Sequence, residues 1–468
     1  MAEPINNRID RITHNLLPKA SLEGKFLPPA TLQNRMAYYH TPGVSMAVIN
    51  DFKIEWAHGF GVSDSRYHRH VTTGTLFQAG SISKPVFALG VMRLVQEGRL
   101  SLDEDVNNYL LTWQVPMNEG WQPKITLRQL LSHSAGLTVH GFPGYQVSEP
   151  LPGIAQILNG EPPANTEGVE VNILPGLQSR YSGGGITVAQ LVLEDFLKKP
   201  FPQIMREIVF EPLGLSDSTY EQFLLQGWAK RTATAHPWKG IPLKGKHHLY
   251  PEMAAAGLWT IATDLAKVGV ELLQVLHQKK EPALLTKETI EMMLHPQLED
   301  QKIGDSDFVG LGFFCTGKED RFYFGHGGWD EGFVATIRFY KNLGKGAVVM
   351  INSNEGFPLI DELLHATAIE YDWPEAVPEQ KKAALISNPG DYTGIYTAKA
   401  GTQFKVTLDG ESLLLQYQQQ TPLPIFPASE AEFFTHALNT TIRFEKDGDA
   451  RICSLTITQD GKTIKAER

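Results

Sequence analysis

Over its first 372 residues this chain has strand-forming sequence at two widely separated places, with a long helical stretch between them, and that arrangement constrains the fold most. Near the start, "GVSMAVIN" and "KIEWAHGFGV" are apolar runs rich in β-branched residues, joined by the turn-forming pair Asn50-Asp51. From residue 308 the same texture returns in "FVGLGFFC", "RFYFGHGG", "FVATIRFY" and "GAVVMIN", followed by an amphipathic helix in "PLIDELLHATAIEY". Residues from about 100 to 295 read as helices and loops, among them "TLRQLLSHSAGL" and "TVAQLVLEDFLKKP", the second stopped by Pro200. Strands from both ends with helices between them predict one α/β lobe carrying a helical insertion.

A second region follows. "DWPEAVPEQKKAALISNPGDY" is rich in proline and charge and reads as a linker. Beyond it, "FKVTL", "LLLQY", "TIRF" and "CSLTI" alternate, with Asp409-Gly410 and Asp447-Gly448 as hairpin signals. The expected division is a lobe over 1–372, a linker over 373–385 and an antiparallel β domain over 386–468, with a small barrel as one form it could take. Two roles are open for that domain: a stabilising cap, or a wall of the active-site cleft that limits substrate length.

A chain of 468 residues exceeds one ordinary core, in agreement with two or more lobes. The net charge of -10 is spread along the chain without an acidic tail or basic block, which argues against nucleic acid or anionic membrane as the main partner. No apolar run approaches the length of a membrane span. "MAEPINNRIDRITHNLLPKA" has no apolar core of the signal-peptide kind, so a cytoplasmic protein and the mature form of an exported one are both compatible with it. Cys315 and Cys453 follow no metal-ligand spacing and are expected as free thiols. Oligomeric state has no sequence signal.

Within "LFQAGSISKPVFALGVMRLVQEGRL", a short strand leads to Ser81, and Lys84 follows three residues later at the start of an apolar helix that Gly98 closes. Pro85 belongs in that helix's first turn, where its missing N–H does least harm. About one S-x-x-K is expected by chance in a chain this long, so the spacing alone proves nothing. The chemistry is nevertheless coherent. Residues i and i+3 share a helix face, so Lys84 can reach the Ser81 hydroxyl, a poor nucleophile until a base takes its proton. For that a lysine must be brought down from near 10.4 toward neutrality by burial or nearby positive charge. A helix N-terminus also disfavours the ammonium and aims backbone N–H groups at a developing oxyanion.

Other hydrolytic routes lack their signatures. No serine sits in a G-x-S-x-G elbow, and there is no H-E-x-x-H. His68, His70, His247 and His248 lie in polar stretches and read as solvated surface; no metal or other cofactor is expected. "QSRYSGGGITVAQL" places Tyr181 before a glycine-rich entry to a helix, and "FYFGHGGWDEGF" places His326 at a strand end followed by Gly327, Gly328 and Trp329. Taken singly, the first could be a buried tyrosine and the second a plain turn.

In order along the chain, Ser81–Lys84, Tyr181-Ser182-Gly183 and His326-Gly327-Gly328 resemble the three motifs of the serine β-lactamase-like superfamily. That group holds penicillin-binding proteins, class C β-lactamases, related esterases and D-aminopeptidases. "LLSHSAGL" and "AAAGLWTIATDLAKVG" also look like its connecting segments, and the resemblance covers roughly residues 30 to 370. It implies a β-lactamase/transpeptidase-like lobe, an antiparallel sheet flanked by helices with a helical subdomain, and a C-terminal barrel of lipocalin-like form. It implies Ser81 as the acylated nucleophile, Lys84 and Tyr181 as acid–base pair, and His326 on the strand edging the substrate. The oxyanion hole would use the amides of Ser81 and Trp329, with Gly327 and Gly328 allowing close substrate approach.

Two departures matter. Gly183 replaces the asparagine common in the second motif, and His326 replaces a lysine that would hold a substrate carboxylate as a permanent cation. Both favour an esterase, or an aminopeptidase acting on D-residues, over a β-lactamase or a D,D-carboxypeptidase. A non-catalytic homologue that binds peptide or scaffolds assembly is the alternative from another class. The expected partner is a small-molecule or peptide substrate.

Overall fold

In a computed structural model, the described residues are 4–18, 20–23, 28–299, 302–374, 379–399, 401–410, 412–418, 420–435, 440–459 and 462–468. They form two compact units, residues 41–354 and residues 1–40 with 355–468.

The 41–354 unit is built on an eight-stranded antiparallel sheet whose centre joins the two strand blocks of the sequence. Its principal strands are β1 (Gly43–Asn50), β2 (Lys53–Asp64), β3 (Tyr323–Asp330), β4 (Phe333–Tyr340) and β5 (Lys345–Ile351). Strand β1 pairs with β2 on one side and with β5 on the other, Val44 opposite Ile351 and Ile49 opposite Gly346. Seven of the eight β1 residues are buried, so its apolar run is continuous instead of alternating, as befits a strand covered on both faces. The β1–β2 turn is made by Asp51 and Phe52, both left-handed. "FVGLGFFC" differs from expectation: it is two short strands, Phe308–Val309 and Phe314–Thr316, folded back on each other. Gly312, at φ +85°, lies between them and permits that reversal.

Helix α1 (Ser83–Gln96) buries eleven of its fourteen residues, which explains an apolar sequence with little amphipathic pattern. Helix α2 (Gly183–Leu197) starts four residues before the expected Thr187, because the Ser182 hydroxyl caps it by accepting the Gly185 N–H at 2.8 Å. "TLRQLLSHSAGL" is helical only over Leu127–Leu131. The Ser132 hydroxyl turns back to the Arg128 carbonyl at 2.8 Å, and His133 then takes a left-handed φ of +57°, which ends the helix.

In the other unit, helices Ile5–His14 and Phe357–Glu370 are tied by Arg11, whose guanidinium grips Glu370 at 2.6 and 2.8 Å. Residues 375–378 of the expected linker lie outside the described residues; Glu379–Lys381, just beyond, pairs in parallel with Ala20–Leu22. The C-terminal strands form a closed eight-stranded antiparallel barrel, as the alternating runs predict. The Asp409-Gly410 hairpin sets Asp409 opposite Ser412, and the first strand closes on the last through Ala398 and Ala466. Tyr396, Phe404, Phe433, Ile442, Phe444 and Leu455 fill its interior. Both cysteines are free, Cys315 buried and Cys453 half-buried. No helix among the described residues is long and apolar enough to cross a membrane.

Candidate active site

Ser81 sits in a 3₁₀ turn, Gly80–Ile82, that runs directly into α1. The turn is fixed from below by Ser83, whose hydroxyl donates to the Gly80 carbonyl at 2.6 Å and accepts the Leu258 N–H at 3.0 Å. Lys84 is the second residue of α1 and is 2% exposed. Its Nζ donates to Ser81 Oγ at 2.9 Å and to the Ala255 carbonyl at 2.7 Å. Burial brings its ammonium down to about 7, against an opposing pull from Asp330. The lysine is therefore neutral in a large fraction of molecules at physiological pH.

Tyr181 lies against this pair, its ring centroid 4.9 Å from Lys84 Nζ. Burial raises its phenol well above the usual range while hydrogen bonding to Ser81 pulls the other way, so the resting phenol keeps its proton. Four aromatic rings surround Tyr181: His133 at 4.4 Å, His140 at 4.8 Å, and Phe314 and His326 each at 6.1 Å.

Strand β3 closes the other side. Gly80 has φ +52°, and a Cβ there would stand 2.4 Å from the Trp329 nitrogen; one on Gly328 would stand 1.9 Å from the Ala79 carbonyl oxygen and 3.1 Å from the Ser81 nitrogen. These two glycines let the turn and the strand touch, which brings the Ser81 and Trp329 amides to one edge. Gly327 is different: it is exposed, and a Cβ would meet only the Ala335 carbonyl oxygen at 4.0 Å. The Trp329 side chain is 49% exposed.

His326 is buried, stacked on Phe314 at 4.5 Å and 18°, with Nδ1 2.5 Å from the Gly327 carbonyl oxygen. A carbonyl can only accept, so Nδ1 carries the proton, and the Nε2 lone pair is buried without a protein partner. Burial and the nearby Lys84 bring its imidazolium down to about 3. The expected substitution of a neutral ring for a cation is thus carried by the environment as well as by residue type.

Several groups at this site have no separate signal in the sequence. Asp330 is buried within electrostatic reach of Lys84, Glu252 is buried near Asp330, and burial raises both carboxyls, Glu252 to about 8. The buried Tyr250 hydroxyl accepts the Glu331 N–H at 2.9 Å. Asp330 lies inside the quoted "HGGWDEGF", but only the burial pattern of β3 separates it from the exposed Trp329 beside it. His68 and His70 are exposed as expected, whereas His247 is not a solvated residue. It packs edge-on against the buried Trp259 at 4.9 Å, and burial brings it down to about 4. Among the described residues no group of three or more His, Cys, Asp or Glu has the arrangement to hold a metal ion.

Comparison with known proteins agrees with this architecture. The beta-lactamase family model matches residues 29–370. Penicillin-binding protein 4* of Bacillus subtilis (strain 168) is 22% identical over 437 residues, covering 89% of this chain and 92% of that protein. Esterase EstB of Burkholderia gladioli is 28% identical over 163 residues, 34% of this chain and 41% of that one. Among solved structures, the octameric penicillin-binding protein homologue from Pyrococcus abyssi superposes with a TM-score of 0.64 at 20% identity, covering 93% of this chain and 98% of the other. D-alanine carboxypeptidase AmpC from Burkholderia cenocepacia gives 0.59 at 18% identity, over 77% and 99%. A family match that spans the whole stretch from Ser81 to His326 and extends beyond it on both sides places this chain in the beta-lactamase family of serine hydrolases.

Proposed function

We propose that the chain hydrolyses esters or amides through an acyl-enzyme on Ser81, with substrates that lack the carboxylate carried by β-lactams and D,D-peptides. The observation that carries the chemistry is the buried Lys84 amine, its Nζ 2.9 Å from Ser81 Oγ and brought down by burial to about 7. Ser81 Oγ attacks the substrate carbonyl carbon as its proton passes to Lys84 Nζ, and the carbonyl oxygen becomes an oxyanion facing the Ser81 and Trp329 amides. The phenol of Tyr181 gives a proton to the departing alkoxide or amine and is reprotonated from Lys84. Water then attacks the acyl ester by the reverse route, releasing the acid and restoring Ser81. These steps call on no cofactor.

The substrate class rests on His326. A ring stacked on Phe314 and held neutral offers a lone pair to a hydrogen-bond donor and gives no fixed charge to a carboxylate. D-aminoacyl amides and simple esters suit it. Intact-protein mass after exposure to p-nitrophenyl acetate, penicillin G and D-alanine p-nitroanilide tests the reading. An acetyl adduct on the wild type that disappears in S81A is expected, with penicillin leaving little adduct. Efficient, stable acylation by penicillin with no ester turnover would instead make this a penicillin-binding enzyme.

A further inference from the structure

Tyr181 leaves one question open: what holds a phenol in place when the residue lies in a loop just before a helix cap. His133 answers it with three contacts. Its carbonyl accepts the Arg180 N–H at 2.7 Å, its Nδ1 accepts the Ser182 N–H at 3.2 Å, and its ring packs on the Tyr181 ring at 4.4 Å and 38°. The amides on either side of Tyr181 are thus both bound to one residue. We propose that His133 is a positioning residue that fixes the Tyr181 phenol against Ser81 by gripping the backbone on both sides of it; the inference rests on the acyl-enzyme reading above.

The neighbouring contacts extend the grip. Arg180 Nε donates to the Leu137 carbonyl at 2.9 Å, and the Ser182 hydroxyl donates to the Thr138 carbonyl at 2.6 Å, so the 133–138 loop carries the whole 180–182 segment. To accept an amide proton, Nδ1 must be unprotonated. Deep burial, with Lys84, His326 and His140 all nearby, keeps the ring neutral. His133 also adopts φ +57°, the left-handed backbone state that glycine, asparagine, aspartate and histidine enter more readily than other residues.

Backbone preference supplies the test. Glycine and asparagine both tolerate the left-handed φ, but only asparagine carries an acceptor, Oδ1, where Nδ1 stands. With p-nitrophenyl acetate, H133G should lose about 10²-fold in kcat with KM changed less than threefold, the scale of a displaced catalytic group. H133N should recover at least about tenfold of that loss. Amide hydrogen exchange at Ser182 should accelerate in H133G and return toward wild type in H133N, a readout independent of turnover. H133G within threefold of wild type, or H133N no better than H133G, overturns the proposal. If H133G does not melt cooperatively, H133Q replaces it: its acceptor lies one bond too far, so equal activity of H133N and H133Q overturns the proposal, and activity in H133N alone supports it. A wild type inert toward every ester and amide tested would count against the acyl-enzyme reading, while Ser182 exchange would still report on the grip.

Discussion

The sheet-and-helix unit that holds Ser81 and the C-terminal barrel both bury an apolar core, but only the first also buries a cluster of ionisable groups among the described residues. The barrel interior is aromatic and aliphatic, with Tyr392, Phe433 and Phe444 meeting edge to face at 4.9–5.1 Å. Its carboxylates stay at the surface, where Glu430 and Glu445 are held below their usual range by hydrogen-bond donors. The other unit buries Lys84, His133, Glu252, His326 and Asp330 together, and for every one of them burial disfavours the charged form. A stable core has no use for such groups, because each must be desolvated. Their concentration around one serine, and their absence from the described barrel interior, separates a region shaped by chemistry from one shaped by packing.

The contrast breaks most sharply at Ser81. S81A should lower ester turnover by at least about 10³-fold with its melting curve unchanged; more than a few per cent residual turnover would assign the chemistry to another group. Next, K84M should slow acylation by about 10² or more in stopped-flow bursts. In the wild type the acylation rate should climb as pH rises through about 7, because the proposed mechanism needs the neutral lysine as base. K84M should lose that limb, and a normal burst in this variant would mean the lysine only packs.

A smaller effect belongs to Glu252. Its carboxyl is raised from 4.5 to about 8, so the folded chain keeps a proton that the unfolded chain releases above about 4.5. The stability it contributes is full below that point and is lost as pH rises through about 8. Relative to E252Q, the wild type should lose ~1.4 kcal/mol per pH unit across this window. Urea midpoints for both proteins from pH 5 to 8 measure it, and parallel curves would show that Glu252 ionises freely.

Least of all, F433A should leave ester turnover within about twofold while destabilising the barrel by about 3–5 kcal/mol, the usual cost of emptying a buried aromatic position. A matching fall in kcat would erase the distinction and favour the barrel as part of the catalytic apparatus.

What could be read from the sequence follows the range of the interactions. The Asp409-Gly410 hairpin and the Ser81–Lys84 pair are local, three or four residues across, and both were legible. The environment of Lys84 was not, because Ala255 and Asp330 reach it from more than 170 residues away. The left-handed turn at His133 was hidden in a stretch with helical periodicity. His247 was misread because Lys244, Lys246 and His248 around it look like surface, while the tryptophan that covers it is twelve residues on. Gly328 was legible as a close approach, although the backbone it admits is Ala79–Ser81 as well as any substrate.

The pairing of β1 with β5, and of the Ser81 turn with β3, has a consequence in time. A ribosome releases Ser81 and Lys84 early, but strand β3, which packs against the Ser81 turn, and the β4–β5 hairpin that ties it to β1, come more than 240 residues later. At ordinary synthesis rates that interval is on the order of tens of seconds. Throughout it the nascent chain holds Ser81 and Lys84 without the strand that packs against their turn. Hydrolytic competence should therefore appear late and abruptly, when the last strands of the sheet close, and a chain interrupted before residue 351 would carry the proposed nucleophile without being an enzyme.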